Sequence, residues 1–151
     1  MYQRILVAID GSHSADLALG QAITVAKATG AEVRAVFVAD DSDLFFEVSH
    51  IDNDTLMKNI AAYGSDTLKA ASTRLTEAGI RCSIRLFDKP ISPGKISATI
   101  VAEADTWNAD LIVLGTHGRR GIRRIVMGSV SEGVVSKTLR PILLVRSEAK
   151  D

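Results

Sequence analysis

The sequence predicts an open α/β sheet with helices on both faces, formed by a single domain over residues 1–151. Short runs rich in Val and Ile alternate along the chain with longer segments of helical periodicity. Strands and helices that alternate in this way pair in parallel through right-handed crossovers. The chain has 151 residues, 46% of them hydrophobic, which suits one compact domain with its own core. We therefore expect five parallel strands joined by four helices.

The first half of the chain is predicted to contain two strands and two helices. The apolar run Arg4–Ile9 alternates little, as expected of a strand buried on both faces. Ser12 and Ser14 are expected to cap the next helix, which ends at Gly30. Its buried face is formed by Ala15, Leu19, Ala22 and Ala26. Val33–Val38 is the second strand. Asp54 is expected to cap a long helix that closes at Gly79 and buries Leu56, Ile60, Tyr63, Leu68, Ala71 and Leu75.

The second half continues the alternation. Polar and apolar residues alternate more clearly in Arg81–Phe87, which indicates a third strand nearer an edge of the sheet. Ser92 and Pro93 set up a helix start, because serine caps well and proline suits the first helical position. Its buried face would hold Ile96, Ile100, Ala104 and Trp107. The fourth strand, last helix and fifth strand are predicted at Leu111–Leu114, Ser129–Leu139 and Ile142–Val145.

Composition excludes several classes of protein. Eighteen basic and eighteen acidic residues cancel, so nothing indicates a dedicated nucleic-acid binder. Cys82 is the one cysteine and the three histidines show no ligand spacing, so we expect neither a disulfide nor a metal site made by the protein. No segment has the length of a membrane span or the pattern of a secretory signal. A cytoplasmic location is expected. Residues Asp40–Asp54 carry six acids and no Lys or Arg, as in an acidic surface loop. Ala39–Asn53 is the one long irregular connection, and loops of this length are often lids or contact surfaces, or else disordered excursions.

The chemistry-bearing residues follow the first and fourth strands, where ligands bind in open α/β sheets. Asp10 comes directly after the first strand, and Gly115 and Gly118 follow the fourth. Gly128-Ser129 then opens a helix whose first amides lack internal partners. Those amides and the hydroxyls of Ser129 and Ser131 would form an anion site suited to phosphate, with positive charge from the arginines at 119, 120, 123 and 124. The alternative is that these glycines only end a strand and ease a turn.

The spacing Gly115-x-x-Gly118, nine residues, Gly128-Ser129 resembles the G-x-x-G-x9-G-[ST] signature of the ATP-binding branch of the universal stress protein family. The segments Ile5–Ser12 and Arg140–Arg146 are similar to that family's first and last strands. The resemblance therefore covers nearly the whole chain. It implies a Rossmann-like sheet of the adenine nucleotide alpha hydrolase type, with strand order 3-2-1-4-5 and ATP between strands one and four.

The resemblance also implies which residues hold the ligand. The adenosine would be bound by Ala8, Ile9, Asp10 and Val38. The ribose and phosphates would be bound by Leu114, Gly115, His117, Gly118, Arg119, Gly128, Ser129, Val130 and Ser131. Mg²⁺ or Mn²⁺ would accompany the phosphates. Members of the family commonly form homodimers through the last strand, here Ile142–Val145.

The function expected on these grounds is that of a nucleotide-dependent regulatory protein of the stress response, with an unidentified protein partner and little or no turnover. No residue is clearly placed to activate a water molecule. Slow ATP hydrolysis or self-phosphorylation on Ser129 or Ser131 stays open. An adenylating enzyme is a second alternative, although Asp10-Gly11-Ser12-His13-Ser14 lacks the paired glycines of the S-G-G-x-[DN]-S loop. A dimeric adaptor without nucleotide is the third.

Overall fold

The computed structural model describes residues 1–40, 53–91, 93–116 and 128–147. These residues form a five-stranded parallel sheet with strand order β3-β2-β1-β4-β5, which confirms the predicted architecture. In chain order the elements are β1 (Arg4–Ala8), α1 (His13–Thr29), β2 (Glu32–Asp40), α2 (Asn53–Glu77), β3 (Cys82–Ile91), α3 (Pro93–Trp107), β4 (Leu111–Gly115), α4 (Ser129–Lys137) and β5 (Ile142–Val145).

Two apolar layers lie on the two faces of the sheet, and β1 contributes to both. Ile5 and Val7 join the layer beneath α1 and α2, whereas Leu6 joins the layer beneath α3 and α4. All three side chains are fully buried. A strand covered on both faces needs an apolar residue at every position, which is why this segment shows no alternation in the sequence.

Helix α1 begins and ends as its sequence predicts. The Ser12 Oγ accepts a hydrogen bond from the Ala15 N–H at 3.1 Å, and Gly30 ends the helix with a φ of +75°. The predicted apolar face is buried and consists mostly of alanine, which allows the helix to lie close to the sheet. Ser14, considered as a second cap, is instead buried inside the first turn.

Helix α3 is fixed to the sheet by a partly buried ion pair near its C-terminal end. The Glu103 carboxylate is 8% exposed and lies 2.7 Å from the Arg34 guanidinium of β2 and 3.7 Å from that of Arg85 of β3. The Arg34 guanidinium also stacks over the ring of Trp107, 4.7 Å from its centroid. Trp107 was predicted as a core residue. It is only partly buried, with the Arg34 guanidinium over its ring.

Several predicted boundaries differ from the structure. Asp54 lies in the first turn of α2 and does not cap it, because the helix begins one residue earlier. β3 is an edge strand as predicted, but it continues to Ile91 through its pairing with β2. The last helix ends at Lys137, and Leu139 beyond it is fully exposed. Tyr63 is 41% exposed because its hydroxyl turns toward the loop after β1.

Among the described residues, no helix combines the length and the hydropathy needed to span a bilayer.

Candidate functional site

The candidate site lies at the carboxyl edge of the sheet, between β1 and β4. These strands are neighbours, with Val7 opposite Val113, but the chain leaves them in opposite directions. After β1 it returns to β2, and after β4 it returns to β5. Divergent connections of this kind open a crevice beyond the strand ends, which is the usual ligand position in open α/β sheets.

The loop after β1 is held by its own side chains and backbone. The Asp10 Oδ1 accepts the Ser12 N–H at 2.9 Å, and the Ile9 N–H donates to the Val36 carbonyl at 2.9 Å. Gly11 has a φ of +83°, a conformation that glycine adopts without steric cost. Asp10 is half-buried at the crevice. The loop therefore presents Asp10 in a fixed turn directly beside the end of β4.

Gly115, the last residue of β4, lies against the first turn of α1. A Cβ at this position would be 2.2 Å from the Ser14 Oγ and 2.8 Å from the Ser14 backbone. The family resemblance implied that Gly115 binds the ribose or phosphates of a ligand. In the structure its missing side chain lets α1 approach β4, which brings the two loops of the crevice together.

The start of α4 is attached to the end of β4 through Thr116. The Gly128 N–H donates to the Thr116 carbonyl at 2.7 Å. The Ser131 Oγ, 3% exposed, donates to the carbonyls of Thr116 at 3.2 Å and Gly128 at 3.0 Å. The Thr116 N–H in turn donates to the Val145 carbonyl of β5. The first turn of α4 is thus fixed at the crevice by its neighbouring strand ends.

The N-terminus of α4 has the features of an anion site. Gly128 occupies the N-cap position and makes no side-chain capping bond. The first helical residue, Ser129, is exposed. The first amides of a helix lack internal acceptors and carry the positive end of its dipole. This end of α4 can therefore receive a negatively charged group with its backbone N–H groups and one hydroxyl.

Apolar side chains border the same edge. Ala8, Val38 and Val130 are partly buried and pack against the layer beneath α3 and α4. Leu114 belongs to that layer at 3% exposed, while Ile9, at 6%, faces the opposite layer. Leu114 and Ile9 thus have little side-chain surface left for a ligand. Ala8, Val38 and Val130 retain some.

The predicted site residues are only partly within the described chain. The structure brings Asp10, Gly115, Gly128 and Ser129 to one edge, while His117, Gly118 and Arg119 lie outside the described residues. Two contributors escaped the sequence reasoning. Thr116 contributes its backbone carbonyl, which accepts hydrogen bonds from Gly128 and Ser131 and is therefore not indicated by the type of its side chain. Tyr63 contributes its hydroxyl, which donates to the Asp10 carbonyl at 3.3 Å.

Two further features of the described residues concern metal ligands and cavities. Within the described ranges, no cluster of three or more His, Cys, Asp or Glu side chains could bind a metal ion. A depression of about 300 Å³ lies at the opposite, amino edge, between the C-terminal ends of α1 and α2, and is lined in part by Lys27, Gly30, Gly79 and Arg81. It is remote from the loops described above and shares no residue with them.

The model of the universal stress protein family matches residues 1–146. This chain belongs to the universal stress protein family. The universal stress protein MJ0531 of Methanocaldococcus jannaschii is 30% identical over 151 residues, which cover all of this chain and 86% of that protein. A Staphylococcus saprophyticus protein named for the same family is 35% identical, over 97% of this chain and 85% of its own.

Solved structures of universal stress proteins share the fold. One from Burkholderia pseudomallei is 27% identical, with a TM-score of 0.74 and 97% of each chain covered. Two others at 23% identity are complexes. One, covering 96% of this chain and 97% of its own, contains cAMP and has a TM-score of 0.63. The other, from Archaeoglobus fulgidus, contains dAMP, has a TM-score of 0.67 and covers 95% of this chain and 98% of its own.

Proposed function

We propose that this universal stress protein binds an adenine nucleotide, expected to be ATP, in the crevice between β1 and β4. It would act as a nucleotide-dependent regulator with little or no turnover. The observation that carries the proposal is the start of α4, where Gly128 offers no side-chain cap and is attached to β4 through the Thr116 carbonyl. A helix N-terminus fixed at the switch point of an open sheet suits a phosphate chain.

Each part of the site has a distinct role in this proposal. The backbone N–H groups of Ser129, Val130 and Ser131 bind phosphate oxygens, and the exposed Ser129 hydroxyl adds a donor. The hydroxyl of Ser131 is engaged by two carbonyls, so this residue contributes its amide. Asp10 binds the ribose. The sequence motif adds His117, Gly118 and Arg119 to the phosphate end.

The base would lie on the apolar side of the crevice, against Ala8, Val38 and Val130. Their partly buried side chains offer a weakly polar surface that suits the face of a purine. The ligands of the two complexed relatives, cAMP and dAMP, are both adenine nucleotides, which supports adenine as the base. Mg²⁺ or Mn²⁺ would be held mainly by phosphate oxygens and water, since such metals usually reach a nucleotide site in this way.

Low turnover is proposed because the described residues at the crevice include no side chain whose placement marks it as a base for an attacking water. If the protein phosphorylates itself, Ser129 is the better acceptor. It is exposed, whereas Ser131 is 3% exposed and hydrogen-bonded. Pyrophosphate release with a second substrate would instead favour the adenylating enzyme.

A homodimer through β5 is proposed on the exposure of that edge. All four residues of Ile142–Val145 are partly exposed, and β5 ends the strand order on its side of the sheet. In α4 and the connection that leads from it to β5, Val135 is 43% exposed and Leu139 is fully exposed. A second copy docked at this edge would cover these apolar side chains and pair an open strand. A cytoplasmic location and a protein partner complete the proposal.

The test is to denature the purified protein, identify the released nucleotide by chromatography, and measure ATP binding with Mg²⁺ by calorimetry. Ser129→Asp is the decisive variant, because it places a carboxylate where a phosphate would lie while an acidic residue still suits a helix start. Ser129→Asn, of the same size but neutral, is its control. ATP binding by the wild type and Ser129→Asn, lost in Ser129→Asp, supports the site. A wild type that binds no nucleotide refutes it, and rapid ADP release refutes the low turnover.

A further inference from the structure

Tyr63 of helix α2 contacts the loop that follows β1. The Tyr63 hydroxyl donates to the Asp10 carbonyl at 3.3 Å. Its ring meets that of Phe37 edge-on, with centroids 5.9 Å apart and planes at 68°. Phe37 is fully buried, whereas Tyr63 is 41% exposed. The ring is thus anchored by aromatic packing that does not depend on the hydroxyl.

The absence of a side chain at Gly11 leaves the space that the Tyr63 hydroxyl occupies. A Cβ on Gly11 would lie 1.8 Å from the Tyr63 Oη and 2.8 Å from its Cζ. The hydroxyl therefore occupies the space that a side chain at residue 11 would need. Since Gly11 also has a φ of +83°, both its conformation and its contact with α2 require glycine.

The loop from Asp10 to Ser12 is consequently restrained on two sides. The Asp10 carboxylate accepts the Ser12 N–H within the loop, and the Asp10 carbonyl accepts the Tyr63 hydroxyl from another element, 53 residues away in the chain. A loop restrained in its bound conformation loses less conformational entropy when a ligand arrives. The tyrosine hydroxyl can therefore raise affinity without touching the ligand.

We propose that Tyr63 is a positioning residue for the nucleoside half of the ligand, holding Asp10 in the orientation that receives it. This inference rests on the nucleotide site proposed above. The phosphate half is bound separately, by the start of α4. The contribution of Tyr63 should therefore be the same for ligands with one, two or three phosphates, which a phosphate-directed role would not produce. Thermal melts separate it from a general loss of structure, which would lower the melting temperature as well.

The test compares Tyr63→Phe with Tyr2→Phe, which removes the other tyrosine hydroxyl of the chain, near the start of β1. Calorimetry gives the Kd of AMP, ADP and ATP for each protein, and hydrogen exchange follows the amides of Gly11 and Ser12. One hydrogen bond corresponds to about a 2- to 10-fold change in affinity. We expect Tyr63→Phe to weaken all three nucleotides by the same factor in this range and to accelerate exchange at both amides, with Tyr2→Phe like the wild type.

The outcomes separate this inference from the proposed function. A wild type that binds no nucleotide refutes the site itself. Nucleotide binding that is unchanged in Tyr63→Phe, or a loss that grows with the number of phosphates, overturns the role of Tyr63 alone. Thermal melts accompany each variant. A Tyr63→Phe protein that fails to fold also overturns the inference, because the ring packing against Phe37 should hold without the hydroxyl.

Discussion

The N–H of Gly128 lies 2.7 Å from the carbonyl oxygen of Thr116, so the first turn of α4 is hydrogen-bonded to the end of β4. The Ser131 hydroxyl donates to the same carbonyl. A strand end and a helix start thus form one unit at the crevice.

Ser131→Ala should destabilise the fold and weaken nucleotide binding together. The substitution removes one buried donor shared by the carbonyls of Thr116 and Gly128, and loss of such a donor costs about 1–3 kcal/mol. Urea denaturation measures the free energy of unfolding, and calorimetry measures ATP binding. Ser136→Ala on the exposed side of α4 is the control, expected within about 0.5 kcal/mol of the wild type. Equal stability of the two variants would contradict the role of Ser131.

Gly115→Ala and Gly20→Ala should have effects of opposite sign. The new Cβ at residue 115 would meet the Ser14 Oγ at 2.2 Å, whereas the Cβ at residue 20 would meet no described atom closer than the Arg74 guanidinium at 3.6 Å. We expect Gly115→Ala to lower the free energy of unfolding by about 1–3 kcal/mol through overpacking. Gly20→Ala, inside α1, should raise it by about 0.5–1 kcal/mol. Denaturant melts check both, and a neutral Gly115→Ala would show that α1 has room to move.

Glu103→Gln should be strongly destabilising. The substitution leaves the Arg34 guanidinium, 2.7 Å away and largely buried, without its counter-charge. Removal of one partner from a buried pair costs about 3–5 kcal/mol, and the partial exposure of Arg85 and Arg34 places the expected loss at or below the lower end. Glu77→Gln, at an exposed position near the end of α2, is the control. A loss of less than about 1 kcal/mol, a value typical of surface pairs, would contradict this view of Glu103.

Leu139→Lys should weaken a dimer formed through β5 without affecting the monomer. Leu139 is fully exposed, so its replacement removes no contact within the described chain. A charge placed at an apolar interface opposes association, and we expect the dimer dissociation constant to rise at least about tenfold. Sedimentation velocity at several concentrations measures it. Ala28→Lys, on an exposed position of α1, is the matched control. A wild type that is monomeric at all concentrations would refute the dimer.

The sequence predicted the fold well because the signals involved are local. The alanine face of α1, the serine cap at Ser12 and the stop at Gly30 are read from spacings of a few residues, and the structure confirms all three. The predicted positions of the strand ends were less accurate. β3 extends to Ile91 because pairing with β2 continues, and such pairing is decided by a neighbour that is distant in the chain.

The candidate site was predictable in its position but less so in its contacts. The glycine spacing predicted the edge of the sheet at which the structure brings Asp10, Gly115, Gly128 and Ser129 together. It did not show that Gly115 serves the packing of Ser14, or that the Ser131 hydroxyl is engaged by carbonyls. Tyr63 was assigned to a buried face because its helical spacing fits one. Its contact with Asp10 joins two elements across the fold, which no local pattern encodes. The roles of His117, Gly118 and Arg119 stay predictions.

The single tryptophan of the chain has a practical consequence. Trp107 ends α3 at the amino edge of the sheet, where its backbone carbonyl accepts a bond from the Arg4 guanidinium and its ring lies under Arg34. The crevice lies at the other end of the strands. Selectively excited tryptophan fluorescence should therefore report the separation of α3 from β2 during denaturation and should not change when a nucleotide binds. Trp107 fluorescence would thus measure folding, and the fraction of protein with bound nucleotide would need a different measurement.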